Sequence, residues 1–145
     1  MTGIWVDDNN PNYASDDNGV LFNKDKTLLV RAHKEIAGDY TIPQTVTTID
    51  GWAFDGCTNL TDVTLGNNVT NISYDLFSGC SSLICITIPD SVTYIDEYAF
   101  YNCRNLEEIH YNGTKEQWYA IVKEYSWNNG AYNFTVYCID GTIEA

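Results

Sequence analysis

The sequence predicts a solenoid, mainly parallel β with short helical turns, and three observations carry that fold class. Residues 40–62, 63–85 and 86–108 lie over one another as three 23-residue repeats without a gap, with their apolar residues in register. Within each repeat one segment alternates apolar and polar residues as a half-buried strand does, so its copies stack into a parallel sheet with one strand per coil. On either side the pattern changes, with a hairpin signal before the array and a helix-capping signal after it. A coil this short cannot bury a face alone and becomes stable only by stacking on neighbours that continue its core.

The register runs Tyr40/Val63/Ile86, Ile42/Leu65/Ile88, Val46/Val69/Val92, Ile49/Ile72/Ile95, Phe54/Phe77/Phe100, Cys57/Cys80/Cys103 and Leu60/Leu83/Leu106. Strands are expected over 60–65, 83–88 and 106–111, with Val63 and Leu65 inside and Asp62 and Thr64 outside. Pro43 and Pro89 follow the strand where a missing N–H harms no ladder, and Gly66 fills that slot in the middle repeat, so the chain turns there. The β-branched run 46–49 and its copies read as a second short extended segment. Residues 52–57 read as one helical turn stopped by Gly56, with Gly79 and Asn102 in the same role. Phe54, Phe77 and Phe100 should stack as an aromatic spine.

Ahead of the array, Ile4 and Val6 alternate as in a strand, which suggests a chain beginning inside a repeat and hence a piece of a longer protein. Residues 7–13 are a loop by composition, and 19–30 place two apolar runs around a polar Asn23-Lys24-Asp25-Lys26 tip, a hairpin. After the array, Thr114 and Gln117 match a capping box, and Trp118, Ile121, Val122 and Tyr125 form an apolar stripe able to close the stack. A last strand is expected over 134–139, ended by Asp140-Gly141.

Twenty acidic residues against seven basic ones leave a formal charge of −13, which excludes nucleic acid and anionic membrane surfaces as partners. No apolar run approaches the ~20 residues of a membrane span, so no direct membrane insertion is expected, and residues 1–5 carry no secretory signal, in keeping with a piece of a longer protein. Cys57, Cys80 and Cys103 share one repeat position, so their Cβ vectors point the same way, and they are expected as a ladder of buried thiols without disulfides. Cys85 and Cys138 lie outside the ladder and are expected unpaired. With no C-x-x-C and no His at ligand spacing, neither a zinc site nor a cofactor is expected.

The pattern Ile42-Pro43-x-x-Val46-x-x-Ile49-x-x-x-Ala53-Phe54-x-x-Cys57-x-x-Leu60 resembles the BspA-type leucine-rich repeat, and residues 88–106 repeat it in full. The middle copy departs at Gly66 and Leu76. Residues 19–25 resemble a hairpin that often interrupts such arrays, and 111–118 a common closing segment. The resemblance implies a single leucine-rich repeat domain over 1–145, with an N-terminal strand and hairpin cap at 1–39, three repeats at 40–108, and a C-terminal capping helix plus strand at 109–145. It further implies a bacterial surface or secreted protein, extracellular in location, without a catalytic residue set.

The other chemistries fare poorly on the residues themselves. The acidic turns 7–10 and 16–19 invite a calcium ion, but their spacing does not match an EF-hand loop. His33 and His110 are the two imidazoles, no serine sits in a Gly-x-Ser-x-Gly setting, and a solenoid surface is expected to lack a deep pocket. The candidate binding residues are those the core does not require. Asp62, Cys85 and Glu108 form one outward row of the sheet, and Thr64, Thr87 and His110 the next. Trp52, Tyr74, Tyr94, Tyr98 and Tyr101 lie on the far side of the coil, where aromatics could stack on sugars or anchor a protein. The expected function is a non-catalytic protein- or glycan-binding or adhesion module, the alternatives being a structural spacer or the targeting accessory of a carbohydrate-active enzyme.

Overall fold

A computed structural model describes residues 2–144. In chain order its elements are β1 (Tyr13–Ser15), β2 (Leu21–Asn23), β3 (Leu28–Arg31), β4 (Ala37–Thr41), β5 (Thr48–Ile49), β6 (Asn59–Thr64) and β7 (Asn71–Ile72). There follow β8 (Cys85–Ile88), β9 (Tyr94–Ile95), β10 (Glu108–Tyr111), α1 (Lys115–Ala120), β11 (Val122–Lys123), β12 (Thr135–Cys138) and β13 (Gly141–Glu144). The chain winds into a β-solenoid of about five turns. One sheet runs β13-β12-β10-β8-β6-β4, parallel from β4 to β12. The second extended segments pair in parallel as β7-β9-β11, while β5 pairs with β3 of the hairpin.

The repeat positions read from the sequence form one continuous core, with Phe54, Phe77 and Phe100 wholly buried. Phe77 stacks on Phe54 at 5.4 Å between ring centroids and on Phe100 at 5.5 Å, with interplanar angles of 22° and 17°. Beyond Phe100 the spine passes edge-on to Trp127, which meets Trp118 and Phe134 in turn. The thiol ladder lies alongside. Cys80 Sγ donates to the Phe54 carbonyl and Cys103 Sγ to the Phe77 carbonyl, each at 3.1 Å, so every thiol is tied to the coil before it. All five cysteines are free.

The segment expected as a helical turn is instead a chain of linked reverse turns. Ala53, Asp55 and Cys57 donate their N–H groups three residues back, to Asp50, Trp52 and Phe54. The N–H groups between them, from Trp52, Phe54 and Gly56, donate to Tyr74, Leu76 and Ser78 of the next coil at 2.8–3.1 Å. A helix would turn all of these bonds inward, and two left-handed residues per coil prevent it. One is Trp52, Asp75, Tyr98 or Ser126, at φ of 52–66°; the other is Gly56, Gly79, Asn102 or Gly130, at φ of 58–88°. Thus the stop residues Gly56, Gly79 and Asn102 sit where the sequence placed them, in the conformation that favours Gly and Asn.

The coils continue past Glu108. Ile109 pairs with Ile86 on one side and with Val136 on the other, so the fourth coil takes 27 residues against 23 in the regular ones. Its extra length holds α1. The capping box is present, with Thr114 Oγ1 accepting from the Gln117 N–H and Gln117 Oε1 accepting from the Thr114 N–H. The apolar stripe is shorter than expected. Trp118 and Ile121 are buried, but the helix ends at Ala120, so Val122 enters β11 and Tyr125 lies in the turn beyond, 89% exposed. The helix is therefore a bulge on the side of a coil. β13 pairs antiparallel with β12, the last parallel strand, and the sequence reading ended before β13.

At the N-terminal end β1, β2 and β3 form an antiparallel meander. Residues 4–6 pair with no strand, and Ile4 donates one backbone hydrogen bond to Gly19. The acidic turns are occupied by their own backbone. Asp16 Oδ1 accepts from the Asn18 and Val20 N–H groups, Asp16 Oδ2 accepts from the Tyr40 hydroxyl at 2.6 Å, and Asp7 Oδ1 accepts from the Asn9 N–H. These acids build turns and dock the meander on the first regular coil.

Two outcomes follow from this core. Phe77→Ala should lower the unfolding free energy by about 3–5 kcal/mol in denaturant titration, because both stacked faces are lost and the coils cannot collapse into the gap. In an Ellman assay of the folded protein, Cys57, Cys80 and Cys103 should stay silent and react only on unfolding. Burial pushes the Cys57 and Cys103 thiols up to about 12, leaving no thiolate to react at neutral pH.

Candidate functional site

Two surfaces gather the residues that the core leaves free. On the outer face of the main sheet, strand register brings Asp39, Asp62, Cys85, Glu108 and Thr135 into one row. Thr41, Thr64, Thr87, His110 and Tyr137 make the neighbouring row. The six outward residues named from the alternation, Asp62, Thr64, Cys85, Thr87, Glu108 and His110, thus stand in two rows on this face. Asp39, Thr41, Thr135 and Tyr137 complete the rows and escaped the sequence reading, because β12 lies across the irregular coil and β4 precedes the first repeat strand. His110 Nε2 lies 3.4 Å from Glu108 Oε2, and its ring stacks on Tyr137 at 4.9 Å and 11°.

Cys85 stands between Asp62 and Glu108. Burial, those two carboxylates and hydrogen bonding to Asp62 push its thiol up to about 11. A nucleophilic cysteine needs the opposite setting, electropositive and lowered in pKa. The Cys85 thiol, a Glu108 carboxylate oxygen and a His110 ring nitrogen all lie within 4.8 Å of one another, and no other such trio of metal-binding side chains occurs among the described residues. Chain spacing had argued against a metal, since Cys85 and His110 are 25 positions apart in sequence; strand pairing closes that distance.

The second surface lies across the linked turns. Trp52, Tyr74, Tyr98 and Tyr101 touch in series, with ring centroids 5.2, 6.1 and 5.5 Å apart and planes at 81°, 84° and 88°. This is the edge-to-face geometry that aromatic quadrupoles prefer. Trp52 remains 48% exposed, so a large part of its area is available for a ligand. The row zigzags between repeat positions. Trp52 and Tyr98 occupy the same left-handed position, whereas Tyr74 corresponds to Gly51, where a Cβ would stand 3.0 Å from the Tyr74 carbonyl. Tyr94 is not part of the row. It sits on β9, and its hydroxyl donates to Glu124 Oε1 at 2.7 Å, which ties the third coil to the fourth.

Beside the aromatic row runs a groove of about 370 Å³ lined by Tyr74, Asp75, Ser78, Tyr98, Tyr101 and Asn129. Burial raises the Asp75 carboxyl above the ordinary aspartate value, against the pull of its hydrogen bonds to Ser78, Tyr74 and Trp52. A more apolar depression of about 530 Å³ covers the last coil between Trp118, Trp127, Tyr132, Phe134 and Ile143. The expectation was of a surface without a deep pocket, and both hollows are open to solvent. Both hollows reach the volume range of ligand sites, yet the rims include Tyr101 and the 61%-exposed Tyr132, so neither excludes water as an enzyme cleft does.

No helix of the described residues is long and apolar enough to cross a membrane. No curated protein matches the sequence. Among solved structures the fold is similar to the pneumococcal vaccine antigen PcpA, at a TM-score of 0.82 and 24% identity over 94% of this chain. A leucine-rich repeat protein from Eubacterium ventriosum matches at 0.59 and 24% identity over 94% of the chain, and the T. pallidum leucine-rich repeat protein at 0.53 and 24% over 70%. This chain spans 33%, 42% and 50% of those three chains respectively. The family model for the BspA type leucine rich repeat region matches residues 34–129 in six copies, which takes in the regular coils and most of the enlarged one, and the chain belongs to that family.

Proposed function

We propose that this chain is a non-catalytic binding segment of a bacterial surface or secreted protein, engaging a protein or glycan outside the cell through the Trp52–Tyr74–Tyr98–Tyr101 row. The observation that carries this reading is the continuity of the row beside a polar groove, on a face the core does not use. Tyr and Trp present large contact area with few rotors to immobilise, and Asp75, Ser78 and Asn129 add polar partners at the groove floor. Leucine-rich repeat proteins generally bind proteins, and one structural neighbour is a vaccine antigen, which supports a place outside the cell. The sheet face, with Asp62, Thr64, Thr87, Glu108 and His110, offers an acidic and hydroxyl surface suited to a basic patch on the same partner.

The test is a panel of matrix proteins together with a glycan array, screened with the native chain and with the double variant Trp52→Ala, Tyr101→Ala. The variant should retain its melting profile and lose at least about 30-fold in affinity for whatever the native chain binds, as removal of aromatic hot spots does. Equal binding by both chains would assign the aromatic row to coil packing alone, and silence of the native chain on both panels would leave the spacer reading in its place.

A further inference from the structure

We propose that the outer face of the main sheet binds one divalent transition-metal ion of the zinc class, held by Cys85 Sγ, a Glu108 carboxylate oxygen and His110 Nε2, with Asp62 as a fourth donor. The sheet itself assembles this site. Glu108 and His110 are two residues apart on β10, so both side chains leave the same face, and Cys85 is the direct partner of Glu108 on β8. Asp62 is the partner of Cys85 on β6, one strand further along the same row. Two adjacent strands therefore bring three donors together, and the third strand holds Asp62 beside Cys85, from where its carboxylate would have to leave the Thr61 hydroxyl to reach the ion.

Distances and donor types agree with that assignment. Bonds of about 2.3 Å to sulfur and 2.0–2.2 Å to nitrogen and oxygen place tetrahedral ligand atoms roughly 3.2–3.8 Å from one another. The 3.4 Å between His110 Nε2 and Glu108 Oε2 already lies in this range, and no pair among the three ligand atoms exceeds 4.8 Å. Closing the rest needs only side-chain rotation, for which the Glu108 and His110 side chains, each 42% exposed, have room. Thiolate, imidazole and carboxylate together suit a borderline-soft ion and not calcium or magnesium, which take oxygen alone. A thiolate between two carboxylates would be repelled by both, and a dication placed among them would reverse the sign of that interaction.

Cobalt(II) is the probe, since thiolate ligation gives it a charge-transfer absorption that carboxylate or imidazole binding alone does not. The native chain should bind one equivalent of Co2+ with this band, and zinc should displace it. Cys85→Ser should abolish the band, and His110→Ala should weaken binding while the fold, followed by circular dichroism, is kept. Cys138→Ser, which removes the other partly exposed thiol, should change nothing. Because the ion must displace the thiol proton, affinity should rise with pH across the neutral range. Absence of the band at saturating Co2+, or a band unchanged in Cys85→Ser, would overturn the assignment. The site takes Asp62, Glu108 and His110 from the sheet face and shares no residue with the aromatic row, so loss of Co2+ binding would leave the aromatic-row reading standing, and the reverse.

Discussion

Hydrogen bonding between successive coils at the linked turns is the interaction on which the rest of this structure depends. Each coil keeps half of its turn N–H groups for itself and gives the other half to the coil that follows, through Trp52, Phe54 and Gly56 and then through Asp75, Phe77 and Gly79. That division is possible only with two left-handed residues in each turn. Glycine fills one of the two positions in three coils of four, while the other is held by Trp52, Asp75, Tyr98 and Ser126, each at a cost of about 1–2 kcal/mol. The strain is offset because the same geometry points Phe54, Phe77 and Phe100 into one stack and lines up the thiols with the carbonyls of the preceding coil. Backbone and core are therefore satisfied together, and a coil removed from its neighbours would lose both.

This arrangement also decides where function can reside. Positions that face the stack are fixed by it, and the sequence spends its apolar and small residues there. Two surfaces remain, and they differ in kind. The turn face is shaped by left-handed backbone, which lifts Trp52 and Tyr98 out of the coil and lets the rings of three successive coils meet edge to face. The sheet face is flat and repeats at each strand, so whatever side chains occupy one row are brought together irrespective of their distance in sequence. Aromatic contact belongs to the first and polar or ionic chemistry to the second.

The regular part of the fold was legible because its period is constant. Superposing three repeats at 23 residues located seven buried positions per repeat from Tyr40 to Leu106, the strand faces, the stop residues and the free thiols, and the structure places them accordingly, adding the buried column Ala53, Leu76 and Ala99. What was not legible has identifiable causes. The turns looked helical because an apolar pair followed by Gly is also what a terminating helical turn presents, and spacing alone does not reveal that alternate N–H groups leave the coil. The fourth coil was hidden by its four additional residues, which put Val136 out of phase with Ile109. The same four residues make room for α1, whose Trp118 and Ile121 join the core of that coil.

The candidate site was legible as rows and illegible as chemistry. Alternation sent Cys85, Glu108 and His110 to the outer face, but spacing along the chain could not bring Cys85 to the other two. In a parallel sheet the distance that matters is one strand, so residues 23 positions apart are neighbours, and residues two apart on one strand complete the group. Stacked repeats thus convert a column of an alignment into a patch of surface. A substitution that breaks the repeat at an outward position, as Cys85 does between Asp62 and Glu108, costs the fold little and places a soft donor where its neighbours supply only oxygen. Such departures from the repeat, more than the repeat itself, are where this chain differs from a bare scaffold.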